Sequence, residues 1–203
     1  MKKYIMEFVG ALFLVLTYSM IGNPLAIGVM LAVLVYIGSH VSGSHYNPAV
    51  SLAMWLRGKL KIGEMLLYML FQILGGFLAG VMYYMLSGKS YYPVPAPGIN
   101  DWKIFSVELL FTAFFVFVFL TVFAAKKFKA NGMHGLVVGF ALLPIVFLGG
   151  TYNPAVSVGP ALFDLAMGGT AIMGIAAYFF GPLVGGAFAY LFYRYIYSAE
   201  FKK

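Results

Sequence analysis

Cysteine is absent from the 203-residue sequence, so neither a disulfide framework nor a thiolate metal site can be built. Charged residues are also scarce, at 9%, whereas 63% of the residues are hydrophobic. The mean hydropathy is +0.93, and so little polar surface cannot cover a globule in water. The composition therefore predicts an integral membrane protein.

Candidate catalytic groups are missing as well. No pair among the three histidines has metal-ligand spacing on one face with a carboxylate, and no nucleophile is accompanied by a base. We therefore expect no enzyme activity, no metal and no cofactor. The net charge of +7 is compatible with nucleic-acid binding, but the basic residues form short clusters between apolar runs. Because they do not alternate with aromatic residues on a soluble surface, we expect no nucleic-acid partner.

Six apolar runs dominate the chain. At about 1.5 Å of rise per residue, nearly all of them are long enough to cross a hydrocarbon core of about 30 Å. The first run resembles a signal peptide, but Glu7 interrupts it and no small-residue cleavage site follows, so we expect it to remain as a span. The prediction is an all-α membrane protein with six transmembrane helices. The runs lie at 4–22, 25–42, 65–87, 103–125, 133–149 and 170–194.

The basic residues indicate the orientation of these spans. If there are six, then 11 of the 13 Lys and Arg residues share one side of the membrane, and only Lys89 and Lys103 lie on the other. This excess predicts that both termini are cytoplasmic in a multi-pass protein of the plasma membrane. The 11 residues are Lys2, Lys3, Arg57, Lys59, Lys61, Lys126, Lys127, Lys129, Arg194, Lys202 and Lys203.

An internal duplication organises the chain. The string from Tyr46 to Ser51 recurs from Tyr152 to Ser157, a shift of 106 residues, and Glu7 and Glu108 stand in matching places near the starts of spans one and four. Because each half contains three spans, the second half must enter the membrane from the opposite face. We expect two inverted repeats, 1–100 and 101–203, within one integral domain.

The repeated string contains Asn-Pro-Ala, which begins a helix. Asn is a favoured N-cap residue and Pro is favoured at the first helical position. From Asn47 to about Leu56, and from Asn153 to about Phe163, about ten residues give roughly 15 Å of helix, or half a bilayer. Two re-entrant half-helices would point their positive N-termini at mid-membrane, where they repel cations and protons. Non-helical backbone before each cap implies a water-lined path.

These motifs resemble those of the aquaporin and glycerol-facilitator family, the major intrinsic proteins. Glu7-Phe8-Val9-Gly10, the two Asn-Pro-Ala strings and Gly181-Pro182-Leu183-Val184-Gly185-Gly186 carry the likeness, which covers nearly the whole chain. The resemblance implies an aquaporin-like fold, a pore in every protomer and a homotetramer. It also implies that the pore motifs are Asn47, Pro48, Ala49, Asn153, Pro154 and Ala155.

The likeness breaks down at the selectivity filter. Most family members carry Arg after the second Asn-Pro-Ala, whereas this chain has Val156. The resemblance implies that the other filter positions are Ile27, Ala141 or Leu142, and Gly150. With Gly150 at the ring, and Ala141 if it is the fifth-span position, we expect a wide opening. Without the arginine we expect weaker discrimination between water and larger neutral solutes.

The solute is therefore not fixed by the sequence. Ser157, together with Tyr178 and Phe179, resembles the water-conducting branch, which favours water. Glycerol, hydrogen peroxide, ammonia and dissolved gases remain alternatives, as does a non-conducting membrane scaffold.

Three further polar residues are candidates for roles at the pore. Glu7 and Glu108 are costly to bury in lipid. We expect each to accept hydrogen bonds from the re-entrant loop of its own half, and the alternative is a place at a helix end in the headgroup zone. His45 lies two residues before the first cap and is expected to line the cytoplasmic vestibule.

Overall fold

The computed structural model describes residues 1–95, 97–128 and 132–201, and within these ranges the ordered elements are all helical. Three of the basic residues named above, Lys129, Lys202 and Lys203, lie outside the described residues. The α-helices are α1 (Lys2–Met20), α2 (Pro24–Gly38), α3 (Pro48–Leu56), α4 (Ile62–Ser87), α5 (Asp101–Ala124), α6 (His134–Val146), α7 (Pro154–Ala166) and α8 (Ala176–Ile196).

Four of these helices, α1, α4, α5 and α8, are long and apolar enough to cross a membrane. Helices α2 and α6 are shorter, with 15 and 13 residues. They cross each other closely, because Gly28 and Gly139 let the two backbones approach without intervening side chains. The prediction of an all-α bundle with two half-helices is confirmed.

The helix starts follow from local chemistry. Asn23, Asn47 and Asn153 each take an extended conformation, accept backbone N–H groups on the side-chain oxygen and are followed by Pro at the first helical position. Such capping satisfies N–H groups that have no partner within the helix. Each of the three Asn-Pro pairs in the chain therefore begins a helix.

Several boundaries differ by a few residues from the sequence prediction, and two of them lie around the second half-helix. Helix α7 continues through Pro160 to Ala166, three residues beyond the expected end. The sixth apolar run was expected to start at 170, but α8 begins at Ala176. The preceding apolar residues form a 3₁₀ turn, Ala171–Gly174, which the carboxylate of Asp164 anchors by accepting the N–H of Ala171 at 3.0 Å.

Each half-helix packs against a long helix of the other repeat. Helix α3 lies on α8, and α7 lies on α4. Helix α3 runs from the centre toward the face that carries Lys3 and Glu200, here called the terminal face. Helix α7 runs from the centre toward the opposite face. The two repeats are therefore interlocked rather than side by side.

The carboxylate of Glu200 joins three segments on the terminal face. Glu200 accepts hydrogen bonds from Arg57 Nη2 at 3.1 Å, from Lys126 N–H at 2.9 Å and from the Tyr193 hydroxyl at 3.2 Å. The Arg57 guanidinium also lies 4.2 Å from the centroid of the Phe201 ring. Because Arg57 is the C-cap of α3, the C-terminal segment is fastened to the end of a half-helix.

The titration of Glu200 follows from these contacts. Burial raises the pKa of the Glu200 carboxyl, but hydrogen bonds from Lys126 N–H, the Tyr193 hydroxyl and Arg57 outweigh it and hold the pKa below its usual range. A carboxyl whose pKa is lower in the folded state contributes its full stability above the unfolded pKa of about 4. That contribution is lost as the pH falls through the lower, folded value.

Replacing Glu200 with Gln is expected to lower the free energy of unfolding by about 1–3 kcal/mol at pH 7, because charge-assisted hydrogen bonds are lost. Thermal unfolding in detergent measures this as a lower melting temperature, and the difference should shrink below about pH 4. Glu64→Gln is the matched control, since the Glu64 side chain is 32% exposed in its ion pair with Lys3. Equal melting temperatures for wild type and Glu200→Gln at pH 7 would contradict the prediction.

Candidate pore

The N-termini of α3 and α7 meet at the centre of the bundle. Asn47 Oδ1 accepts the N–H of Ala49 at 2.8 Å, and Asn153 Oδ1 accepts the N–H of Ala155 at 2.9 Å. Pro48 and Pro154 are the first helical residues. Two positive helix ends therefore face one another at a single place.

The two caps are also joined to each other's loops. Asn47 Nδ2 donates to the carbonyl of Tyr152 at 2.9 Å, and Asn153 Nδ2 donates to the carbonyl of Tyr46 at 2.9 Å. Both tyrosines have positive φ, 50° for Tyr46 and 53° for Tyr152, which turns their carbonyls toward the opposite repeat. A side-chain amide has two N–H groups, and each asparagine uses one of them in this bond to the opposite loop.

The buried glutamates hold the non-helical loops in this conformation. Glu7 accepts the N–H groups of His45 at 3.0 Å and Tyr46 at 2.6 Å. Glu108 accepts those of Thr151 and Tyr152, each at 2.6 Å. The exposed fractions are 0% for Glu7 and 1% for Glu108. Backbone N–H groups without helical partners at this depth must find acceptors inside the protein, and the two carboxylates supply them.

His45 lies beside the cap of α3 in a polar network. Its Nδ1 is 3.0 Å from Ser51 Oγ, which also accepts a hydrogen bond from Gln72 Nε2 at 3.0 Å. Gln72 donates in addition to Glu7 at 2.7 Å. The His45 ring meets the edge of the Phe119 ring, with centroids 5.7 Å apart. His45 is 3% exposed.

A small cavity lies between the two asparagines. It leaves about 10 Å³ for the centre of a water molecule, which is room for about one water. Eight of its nine lining residues form four pairs related by the duplication, and Tyr18 is the ninth. The pairs are Leu14 with Phe115, Leu31 with Leu142, His45 with Thr151, and Asn47 with Asn153.

The residues assigned to the filter by resemblance are spread over different environments. Leu142 lines the central cavity, whereas Ala141 is half-buried beside the core. Gly150 lines a larger cavity of about 580 Å³ on the opposite face, together with Lys103 and Tyr178.

Like Ala141, two further assigned positions line neither cavity. Ile27 and Val156 are both 0% exposed in the packed core. Leu31, one turn further along α2 than Ile27, lines the central cavity instead.

Sequence reasoning missed five of the lining residues, although the duplication carried a signal for four of them. Leu31 and Thr151 are the duplication partners of Leu142 and His45, which were predicted. Leu14 and Phe115 each lie seven residues after the glutamate of their repeat, on the same face of the helix. Nothing in the sequence placed Tyr18 there. The missed residues are Leu14, Tyr18, Leu31, Phe115 and Thr151.

The geometry defines a class: a multi-pass membrane protein of two inverted repeats whose capped half-helices meet end to end inside the bundle. The sequence profile of the family described as "Major intrinsic protein" matches residues 1–193. The chain belongs to the major intrinsic protein family.

Individual relatives agree with this assignment. The chain is 33% identical to "Glycerol uptake facilitator protein-like 6" of Lactiplantibacillus plantarum, over 93% of this chain and 95% of that protein. It is 27% identical to Aquaporin Z of Bradyrhizobium diazoefficiens, over 97% and 93% of the two chains. The solved aquaglyceroporin of Plasmodium falciparum has the same fold, with a TM-score of 0.72 over 97% of this chain and 94% of that one, at 22% identity.

Proposed function

We propose that the protein is a passive channel, not an enzyme, which conducts water and other small neutral solutes and excludes protons and ions. One observation carries the proposal: two capped helix ends are hydrogen-bonded across the centre of the bundle, and a cavity for about one water lies between them. A solute there meets two amide donors and two positive helix ends.

Water is the favoured solute. Four of the lining residues, Leu14, Leu31, Phe115 and Leu142, are apolar, so a polyol would find few partners for its several hydroxyl groups. The printed names of the relatives include both a glycerol uptake facilitator and an aquaporin. Glycerol, hydrogen peroxide, ammonia or gas is the second candidate. The position that follows the second Asn-Pro-Ala holds Val156 instead of arginine, and without the arginine we expect weaker discrimination against neutral solutes other than water.

Proteoliposomes test the proposal directly. Reconstituted protein should accelerate osmotic shrinkage, followed by stopped-flow light scattering, well above the rate of empty vesicles. A panel of water, glycerol, hydrogen peroxide and ammonia then ranks the solutes. Shrinkage and solute uptake at the rates of empty vesicles would support a non-conducting scaffold instead.

The proposed arrangement in the cell follows the charge distribution. The terminal face carries Arg57, Lys59, Lys61 and Lys126 near helix ends, which supports a cytoplasmic position for this face and for both termini in the plasma membrane. The proposed assembly is a homotetramer in which the repeats 1–100 and 101–203 of each protomer enclose their own pore.

Proton exclusion gives a sharp prediction. Changing both Asn47 and Asn153 to Asp is expected to raise proton leak by about tenfold or more, because two carboxylates offset the positive helix ends. Each Asp retains the capping oxygen but loses the donor to the opposite loop. A pH-sensitive dye inside the vesicles measures the leak under an imposed pH gradient.

Asn23→Asp is the matched control, because Asn23 caps α2 in the same way, through the N–H groups of Leu25 and Ala26, at an exposed turn. It should leave the proton leak unchanged. If the double variant still conducts water and leaks no more protons than wild type, the helix ends do not provide the barrier.

A further inference from the structure

Tyr18 breaks the symmetry of the central cavity. Each of the other eight lining residues has its duplication partner in the same lining. The partner of Tyr18 is Phe119, since both lie 11 residues after the glutamate of their repeat. Phe119 does not line the cavity. It is 1% exposed, stacks on Phe123 at 4.5 Å between centroids and meets the ring of His45.

The two aromatic residues occupy equivalent places on opposite sides of the centre. Tyr18 lies near the end of α1 and donates from its hydroxyl to the carbonyl of Thr151 at 3.4 Å. Phe119 lies near the end of α5 and contacts His45, the duplication partner of Thr151. Each ring therefore bridges from a long helix of one repeat to the re-entrant loop of the other. Tyr18 is the bridging ring on the side away from the chain ends, and it lines the cavity. Phe119, on the other side, does not.

We propose that Tyr18, rather than the residue after the second Asn-Pro-Ala, sets the size limit for solutes on the side of the centre away from the chain ends. This inference rests on the proposed channel function. Val156 is an aliphatic residue with 0% exposure and lines no part of the central cavity. Tyr18 lines that cavity, and its hydroxyl donates to the carbonyl of Thr151, another lining residue, so Tyr18 brings both bulk and a polar group to the cavity.

The hydroxyl and the ring have separable consequences. The hydroxyl occupies the Thr151 carbonyl, an acceptor that would otherwise attract the hydroxyl groups of a polyol. The bond of 3.4 Å is near the long limit of a hydrogen bond, so a passing water can exchange with it at little cost. The ring itself fills space beside the cavity, and its removal widens the cavity on that side. The solute class is therefore water, with glycerol-sized polyols rejected chiefly by the ring.

Stopped-flow measurement of water and glycerol permeability in the same proteoliposomes tests this assignment. Tyr18→Leu is expected to raise the ratio of glycerol to water permeability by about tenfold or more. Tyr18→Phe retains the ring, so its ratio should stay within about threefold of wild type. Val156→Ala should change the ratio less than Tyr18→Leu does. Tyr195→Leu, at a side chain that is 77% exposed, controls for the loss of a tyrosine.

The outcomes separate this inference from the channel proposal. If wild type conducts water but Tyr18→Leu leaves the ratio unchanged, or Val156→Ala shifts it as much, the assignment to Tyr18 is overturned while the channel stands. If wild type conducts no water, the channel function and this inference fail together. Should Tyr18→Leu not fold, Tyr18→Met provides the same test with an unbranched side chain, and an unchanged ratio would again overturn the assignment.

Discussion

Replacing Gly76 with Val is expected to reduce water permeability at least about tenfold and to destabilise the protein by more than about 1–3 kcal/mol. A β-carbon at Gly76 would collide with the carbonyl oxygen of Ala155, and one at Gly186 would lie 2.6 Å from that of Ala49. Both atoms belong to the backbone of an Asn-Pro-Ala motif, which cannot rotate away as a side chain can. The half-helix itself must shift.

Gly63→Val is the matched control for this substitution. Gly63 lies in the same helix as Gly76, and a β-carbon there would meet no atom within 4 Å. Gly186→Val should reproduce the loss, because Gly186 has the equivalent place in the second repeat. Elution from a size-exclusion column in detergent reports folding, and the stopped-flow rate reports conduction. Wild-type flux in Gly76→Val would show that the close approach of α4 to α7 is not required.

The second large effect is expected at the buried glutamates. Glu108→Gln should lower the free energy of unfolding by several kcal/mol and strongly reduce permeability, because an amide has one acceptor oxygen where the carboxylate has two. At least one of the N–H groups of Thr151 and Tyr152 then loses its acceptor, at about 1–3 kcal/mol, and charge-assisted bonds are lost as well. Glu7→Gln should have the same consequence for His45 and Tyr46.

Thermal unfolding in detergent and stopped-flow permeability measure these effects on the same preparations. The control is again Glu64→Gln, which changes a partly exposed carboxylate at the surface. Retention of wild-type stability and flux in Glu108→Gln would mean that the loop of the second repeat does not depend on its carboxylate. A loss in one repeat alone would show that the two loops differ in stability despite their matched contacts.

The glycine and glutamate contacts explain how non-helical backbone is held at the centre of an apolar bundle. Each re-entrant segment is fixed from its own repeat by the carboxylate of Glu7 or Glu108. It is fixed from the other repeat by a glycine of α4 or α8 and by an asparagine amide. The backbone of each loop therefore satisfies its hydrogen bonds within the protein.

The terminal face adds a second anchor to α3. Its first turn is fixed at Asn47, and its last residue is followed by Arg57, which is paired with Glu200. A half-helix of nine residues has too few internal hydrogen bonds to be stable alone. Contacts at both ends therefore determine where its N-terminus lies.

The sequence by itself determined the elements and their symmetry. Asn followed by Pro starts a helix through its own side chain and ring, and the repeat of six residues in a chain with three spans per half requires inversion. A helix start depends on neighbouring residues, and the inversion follows from the number of spans in each half. Neither prediction needed a contact between distant residues.

Only the tertiary structure decided which side chains surround the centre. Tyr18 and Thr151 are 133 residues apart along the chain and touch only because α1 packs beside the loop of the second repeat. Likewise, one turn of α2 separates Leu31 at the cavity from Ile27 in the core. The sequence determines which residues share a face of each helix. Which of these residues meet depends on the angle and depth at which the helices cross. That geometry is set by the packing of many side chains together.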